Sequence, residues 1–165
     1  MSTVVKFIRA FKKGRILVSY EIVINDPKQI MDERLDIYIK GFEGFEKVTI
    51  ILETKCFYNI NAPMNYSEAT YWKSEVIYLS DASGVVSVNT STAIGGDYLG
   101  VRDMGLFETL RPMEVVKQKR VIDLNRVQLK EKVTYQITAL LANRIIAQES
   151  FDRWYKKRVF NIWIS

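Results

Sequence analysis

From Ile16 to Ile24 the chain alternates strictly, with Ile16, Val18, Tyr20, Ile22 and Ile24 on one side and Leu17, Ser19, Glu21 and Val23 on the other. A period of two suits a half-buried strand and no helix, so this stretch commits the chain to building a sheet with a covered face. The pattern returns three times. Lys47 to Tyr58 places Val48, Ile50, Leu52, Thr54 and Cys56 on one side, Tyr71 to Ser80 reads as a further strand, and within Val127 to Ala142 the residues Val133, Tyr135, Ile137, Ala139 and Leu141 alternate with Thr134, Gln136, Thr138 and Leu140. Asp81 to Gly84 reads as a turn into a short strand at Val85 to Thr90, Val115 to Asp123 as the partner of the long return strand, and Val159 to Ile164 as a closing strand.

Between the strands, two segments carry helix signals. Asn25, Asp26 and Pro27 supply a stop, an N-cap and a proline at the first helical position, and Gln29 completes a capping box, which predicts a helix over Pro27 to Lys40 that buries Ile30, Met31, Leu35 and Tyr38, or Ile37 if the helix rotates slightly. A second, shorter helix is expected over Ala147 to Lys157. Strands outnumber helices without βαβ alternation, so the expected class is α+β, a mainly antiparallel sheet with two or three helices.

The 165 residues form one domain by length, residues 16–165, preceded by a basic amphipathic arm over residues 1–15. That arm holds Lys6, Arg9, Lys12, Lys13 and Arg15 and no acid, so the whole net charge of +5 lies in it, while Val4, Phe7, Ile8 and Phe11 share one helical face. Cations beside apolar residues suit an anionic membrane surface or a partner, each charge contributing about 1 kcal/mol near such a surface. No window has the ~20 apolar residues that span a bilayer, so the expected membrane contact is peripheral. A single cysteine, Cys56, makes no intrachain disulfide and fits a reducing compartment; lying in an alternating strand, it reads as a small core residue.

The chain has no histidine, which removes the commonest general base and metal-binding nitrogen. Asp32, Glu33 and Asp36 cluster on the outer face of the expected first helix, where a solvated acidic face outweighs a catalytic pair. No metal or cofactor is called for, and catalysis is the reading the residues support least. Binding is better supported. Residues 16–110 carry 7 cations and 14 anions, residues 111–165 carry 12 cations and 5 anions, and unlike patches on one body favour head-to-tail self-association. Ser91 to Phe107 is glycine-rich yet apolar, and Ile94, Tyr98, Leu99, Val101, Met104 and Phe107 are the candidates for self-association. Lys117, Lys119, Arg120, Arg126, Lys130 and Lys132, with Lys156, Lys157 and Arg158 beside Trp154 and Tyr155, form a basic set for an acidic partner or a nucleic-acid backbone. With Tyr71, Trp72 or Trp154 as stacking platforms, the same set supports a single-stranded nucleic-acid binding module as the alternative.

The order of these elements resembles the matrix proteins of rhabdoviruses, the short plant-virus type, over most of the chain. The carrying features are the basic arm Met1 to Arg15, the strand Ile16 to Ile24, the helix Pro27 to Lys40, and the closing pattern with Phe151, Trp154, Phe160, Ile162 and Ile164. The proline-rich budding motifs of animal-virus members are missing, since Pro27, Pro63 and Pro112 stand alone. The resemblance implies a non-enzymatic structural protein that self-associates, binds the viral nucleoprotein, with RNA as a further partner, and bridges the nucleocapsid to an anionic membrane. It also implies a place in the virion beneath the envelope and in the host cytoplasm.

Overall fold

Residues Leu35 to Lys40 satisfy the helical and the alternating period at once, and tertiary structure decides between them. The computed structural model describes residues 7–13, 16–26, 28–31, 33–56, 70–113 and 132–154. In it, Leu35, Ile37 and Ile39 point into the core while Asp36, Tyr38 and Lys40 lie at or near the surface, so the expected helix over 27–40 ends as a strand. The capping hydrogen bond itself forms, the Gln29 amide donating to Asp26 Oδ1 at 2.9 Å. Gln29, however, sits at φ 52°, a left-handed conformation that turns the chain out of any helix.

Among the described residues, ten strands and one short helix follow in the order β1 Phe7–Lys13, β2 Ile16–Asn25, β3 Asp36–Lys40, β4 Lys47–Cys56, β5 Thr70–Leu79, β6 Val85–Ser87, β7 Ala93–Gly96, α1 Gly105–Glu108, β8 Arg111–Pro112, β9 Lys132–Leu141 and β10 Arg144–Trp154. They build two antiparallel sheets, one ordered β1-β2-β3-β6 and the other β10-β9-β4-β5-β7 with β8 beside β5. Ile22, Ile37 and Ile39 of the first sheet share one core with Ile50, Leu52, Val76 and Ile137 of the second. The architecture is therefore a β-sandwich. The expected α+β class is corrected to nearly all-β, because apolar residues spaced by two found a facing sheet to cover them.

Two further expectations change for the same reason. Ala147 to Lys157 was expected as a helix, yet through Trp154 it belongs to β10, which pairs with β9 from Arg144↔Leu141 to Trp154↔Lys132. A tight turn at Ala142 and Asn143, with φ 47° and 61°, folds the chain back on itself, and a long hairpin, interrupted by one register shift between Ile145 and Ala147, outcompetes an isolated short helix. The arm is also part of the sheet where it is described: Phe7–Lys13 pairs antiparallel with β2 from Phe7↔Ile22 to Lys13↔Ile16 and forms an edge of the first sheet. The strands expected at Lys47, Tyr71, Val85 and Val133 are present as β4, β5, β6 and β9. Those expected at Val115 to Asp123 and Val159 to Ile164 lie outside the described residues.

Candidate functional site

At one end of the sandwich, where β10 finishes and β3 begins, the residues between β2 and β3 cross over the opening and are held there by a buried arginine. Arg153, 1% exposed, donates through Nε to Asp26 Oδ2 at 2.9 Å, through Nη1 to the carbonyl oxygen of Met31 at 3.2 Å, and through Nη2 to the carbonyl oxygens of Ile30 and Glu33. The strand adds its own backbone: the Trp154 amide donates to the Gln29 carbonyl at 2.6 Å and the Met31 amide donates to the Trp154 carbonyl at 3.0 Å. Burying a charge is tolerated only when it is paired and its remaining donors are used, and here four of its five N–H groups have named acceptors. Phe107 closes the other side, its ring centre 5.7 Å from the guanidinium carbon.

The second wall is the Arg102 to Glu108 segment. Met104 adopts φ 56° just before α1, and its amide donates to Asn89 Oδ1 at 3.3 Å, while Asn89 Nδ2 donates to the Leu35 carbonyl at 2.6 Å and to Asp36 Oδ1 at 3.1 Å. One buried amide thus fastens both walls together. Thr109 anchors the far end of α1, its hydroxyl 2.7 Å from that of Ser74 on β5. Between the walls lies a cleft of about 410 Å³ lined by Met31, Glu33, Arg34, Met104, Phe107 and Glu108. Its base is apolar, since Met31, Met104 and Phe107 pack against the core, and Phe107 meets Tyr135 and Phe151 edge-on at 5.4 and 6.3 Å.

The charges at its rim are matched. Lys28 pairs with Glu33 at 3.1 Å, Arg34 with Asp36 at 3.2 Å and with Asp103 at 3.4 Å, and Arg102 with Glu108 at 2.8 Å. Among the described residues no group of three or more histidine, cysteine, aspartate or glutamate side chains stands close enough to hold a metal ion.

Titrating groups elsewhere in the sandwich are shifted by burial and by hydrogen bonds. Tyr78 and Tyr98 meet hydroxyl to hydroxyl in the core, and burial pushes both upward, so they stay protonated. The hydrogen bond from Lys132 at 2.6 Å, with a second from Thr134, holds the Asp152 carboxyl below its ordinary value.

Residues 32–164 match the family described as the acyl-CoA thioester hydrolase/BAAT N-terminal region. The chain belongs to that family. This N-terminal-region chain is 29% identical over 132 residues to the bile acid-CoA:amino acid N-acyltransferase of Homo sapiens, covering 76% of the chain and 29% of that protein. It is 23% identical over 141 residues to acyl-coenzyme A amino acid N-acyltransferase 2 of Mus musculus, covering 82% of the chain and 31% of the relative. The chain therefore spans less than a third of the length of these relatives. Family membership overturns the resemblance to rhabdovirus matrix proteins, and with it the viral nucleoprotein, RNA, membrane and self-assembly partners and the single-stranded nucleic-acid alternative. It also overturns the expectation of a chain without enzymatic connection, because the relatives are enzymes of acyl-CoA chemistry. Element order misled here because a basic leader followed by alternating strands is compatible with many all-β and α+β chains.

The residues singled out from sequence are scattered. Val4, Lys6 and Arg15 lie outside the described residues, as do the side chains of Phe7, Ile8, Arg9, Phe11, Lys12, Lys13 and Cys56. So do Lys117, Lys119, Arg120, Arg126, Lys130, Lys156, Lys157 and Arg158, leaving Lys132, which is engaged by Asp152 and stands 5.7 Å from the Trp154 ring centre. Of the apolar loop, Tyr98 is buried, Ile94, Leu99 and Val101 are exposed, and Met104 and Phe107 turn inward to the cleft. Of the acidic face Asp32, Glu33 and Asp36, Asp32 lies outside the described residues, and Glu33 and Asp36 are part-exposed and paired with Lys28 and Arg34.

Sequence reasoning missed Arg153 and Asn89. The signal for Arg153 was present: continuing a period of two from Phe151 puts an arginine on the inward side of a strand. Asn89 carried no local signal, because its three partners come from residues 15 and more positions away.

Proposed function

We propose that this chain is the β-sandwich module of an acyl-CoA thioester hydrolase or acyltransferase, taking part in reactions that break the thioester C–S bond. In such a reaction CoA leaves as the thiol and the acyl carbon forms a new bond to the oxygen of water or to the nitrogen of an amino acid. The observation that carries the reading is the match of residues 32–164 to a family described as an N-terminal region of such proteins. The relatives' names supply both directions of the chemistry, a hydrolase in the family description and amino acid N-acyltransferases among the similar proteins. With no histidine in its 165 residues, the chain draws any imidazole base from outside them.

The test is a transplant. Residues 32–164 replace the matching region of the human bile acid-CoA:amino acid N-acyltransferase, and release of free CoA thiol from acyl-CoA is followed with and without amino acid. The expected result is a folded chimera that turns over acyl-CoA, and a folded chimera with no thiol release refutes the reading.

A further inference from the structure

We propose that the cleft between the Ile30 to Arg34 segment and α1 holds the apolar acyl chain of an acyl-CoA thioester. This rests on the reading of the chain as part of an acyl-CoA enzyme, and adds which part of the substrate it touches and where. Three observations support it. The first is rigidity obtained with costly groups: Arg153 fixes one wall through three backbone carbonyls and Asn89 ties that wall to the other. A surface that only had to be covered needs no such bracing, whereas a binding site gains affinity from being held in shape beforehand.

The second is the base. Two methionines, Met31 and Met104, flank Phe107, and unbranched thioether side chains refit themselves around chains of different length and shape. A volume of about 410 Å³ falls in the range of small-molecule sites.

The third is charge. Lys28, Arg34 and Arg102 each already face a carboxylate, and Glu33 and Glu108 stand at the rim. The rim therefore offers the polyphosphate of CoA no cation that is not already compensated, so the group that enters is the acyl end, with the CoA end directed away.

The experiment is calorimetric titration of the 165-residue chain with octanoyl-, decanoyl- and lauroyl-CoA, with CoA as the comparison. Affinity rises with chain length, by up to roughly fourfold for each fully buried methylene, and CoA without an acyl group does not bind. Labelled methionine methyl resonances locate the site without any substitution: lauroyl-CoA moves those of Met31 and Met104 and leaves Met113 in place. Met104→Glu weakens lauroyl-CoA at least tenfold, and Phe45→Ser, in the exposed connection between β3 and β4 at the other end of the sandwich, leaves it unchanged.

Binding of CoA as tight as that of its lauroyl ester, affinity independent of chain length, or shifts at Met113 in place of Met31 and Met104 overturns the proposal. So does a lack of any binding, the outcome expected if another protein region fills the cleft. Should the transplant remain active while the cleft binds no acyl chain, only this inference falls; an inactive, folded transplant removes the reading beneath it.

Discussion

The two ends of the sandwich are closed by different physics. At the end away from the cleft, the turn at 81–85 is made by its own residues, Asp81 Oδ1 accepting from the amides of Ser83 at 2.8 Å and Val85 at 2.9 Å with Gly84 at φ 75°, and the Ser80 hydroxyl ties it to Glu43 and Glu46, 37 and 34 positions away. At the cleft end the bonds are long-range, Arg153 reaching Asp26 across 127 positions and Asn89 reaching Leu35 across 54. A turn is specified by its own residues and forms with little help. A cleft wall held by a residue from another strand exists only after both sheets have assembled. The lesson is that the first kind of closure preserves the fold, while the second kind also holds a surface in one shape.

Substitutions separate the two. The largest effect is expected for Arg153→Met, which leaves Asp26 buried without its cation and three carbonyls without donors; urea unfolding should show a loss of about 3 to 5 kcal/mol. A loss under 1 kcal/mol would mean that the cleft end is held by apolar packing alone. Asn89→Ala, which breaks both ties between the walls, should cost about 2 to 3 kcal/mol by the same measurement. It should also quicken amide exchange at Met104 more than at Gly84, and equal acceleration at both would contradict the division of labour between the ends.

At the turn end, Gly84→Ala meets a positive φ and pushes a Cβ into the carbonyl oxygen of Phe42, for an expected loss of about 1 to 2 kcal/mol with the cleft unaltered. The smallest effect is expected at Asp152, part-exposed on the outer side of the cleft end. Its carboxyl titrates lower in the folded protein than in the unfolded chain, because Lys132 and Thr134 bond the ionised form. The stabilisation is therefore complete above about pH 4 and fades as pH falls through the folded value. Asp152→Asn should flatten that acid limb and cost no more than about 0.5 kcal/mol at pH 7, measured as melting temperature against pH. An unchanged acid limb would show that Lys132 and Asp152 contribute nothing to the fold.

Much of the sandwich was legible in the chain itself. The alternations at Ile16, Lys47, Tyr71 and Val133 became β2, β4, β5 and β9, and the turn at Asp81 to Gly84 lies where its residues place it. The cleft was less legible. Met104 and Phe107 were noticed as apolar residues on a loop, but whether such residues face outward or inward depends on what is opposite, and here that is Tyr135 and the Arg153 guanidinium. Asp26 was read as a helix cap, and its first hydrogen bond was right. Its second oxygen went to Arg153, which no local pattern connects to it.

By itself, then, the amino-acid sequence determined which stretches extend as strands, through the period of their apolar residues, and that histidine chemistry lies outside these residues. Tertiary structure alone decided that Leu35 to Lys40 and Arg144 to Trp154 are strands and not helices, and that one end of the sandwich opens into a braced cleft. The physical reason is that local periods and caps are nearly degenerate in free energy over six to eleven residues. Burial against a second sheet, and a guanidinium shared among partners more than a hundred residues away, are large enough to break the tie.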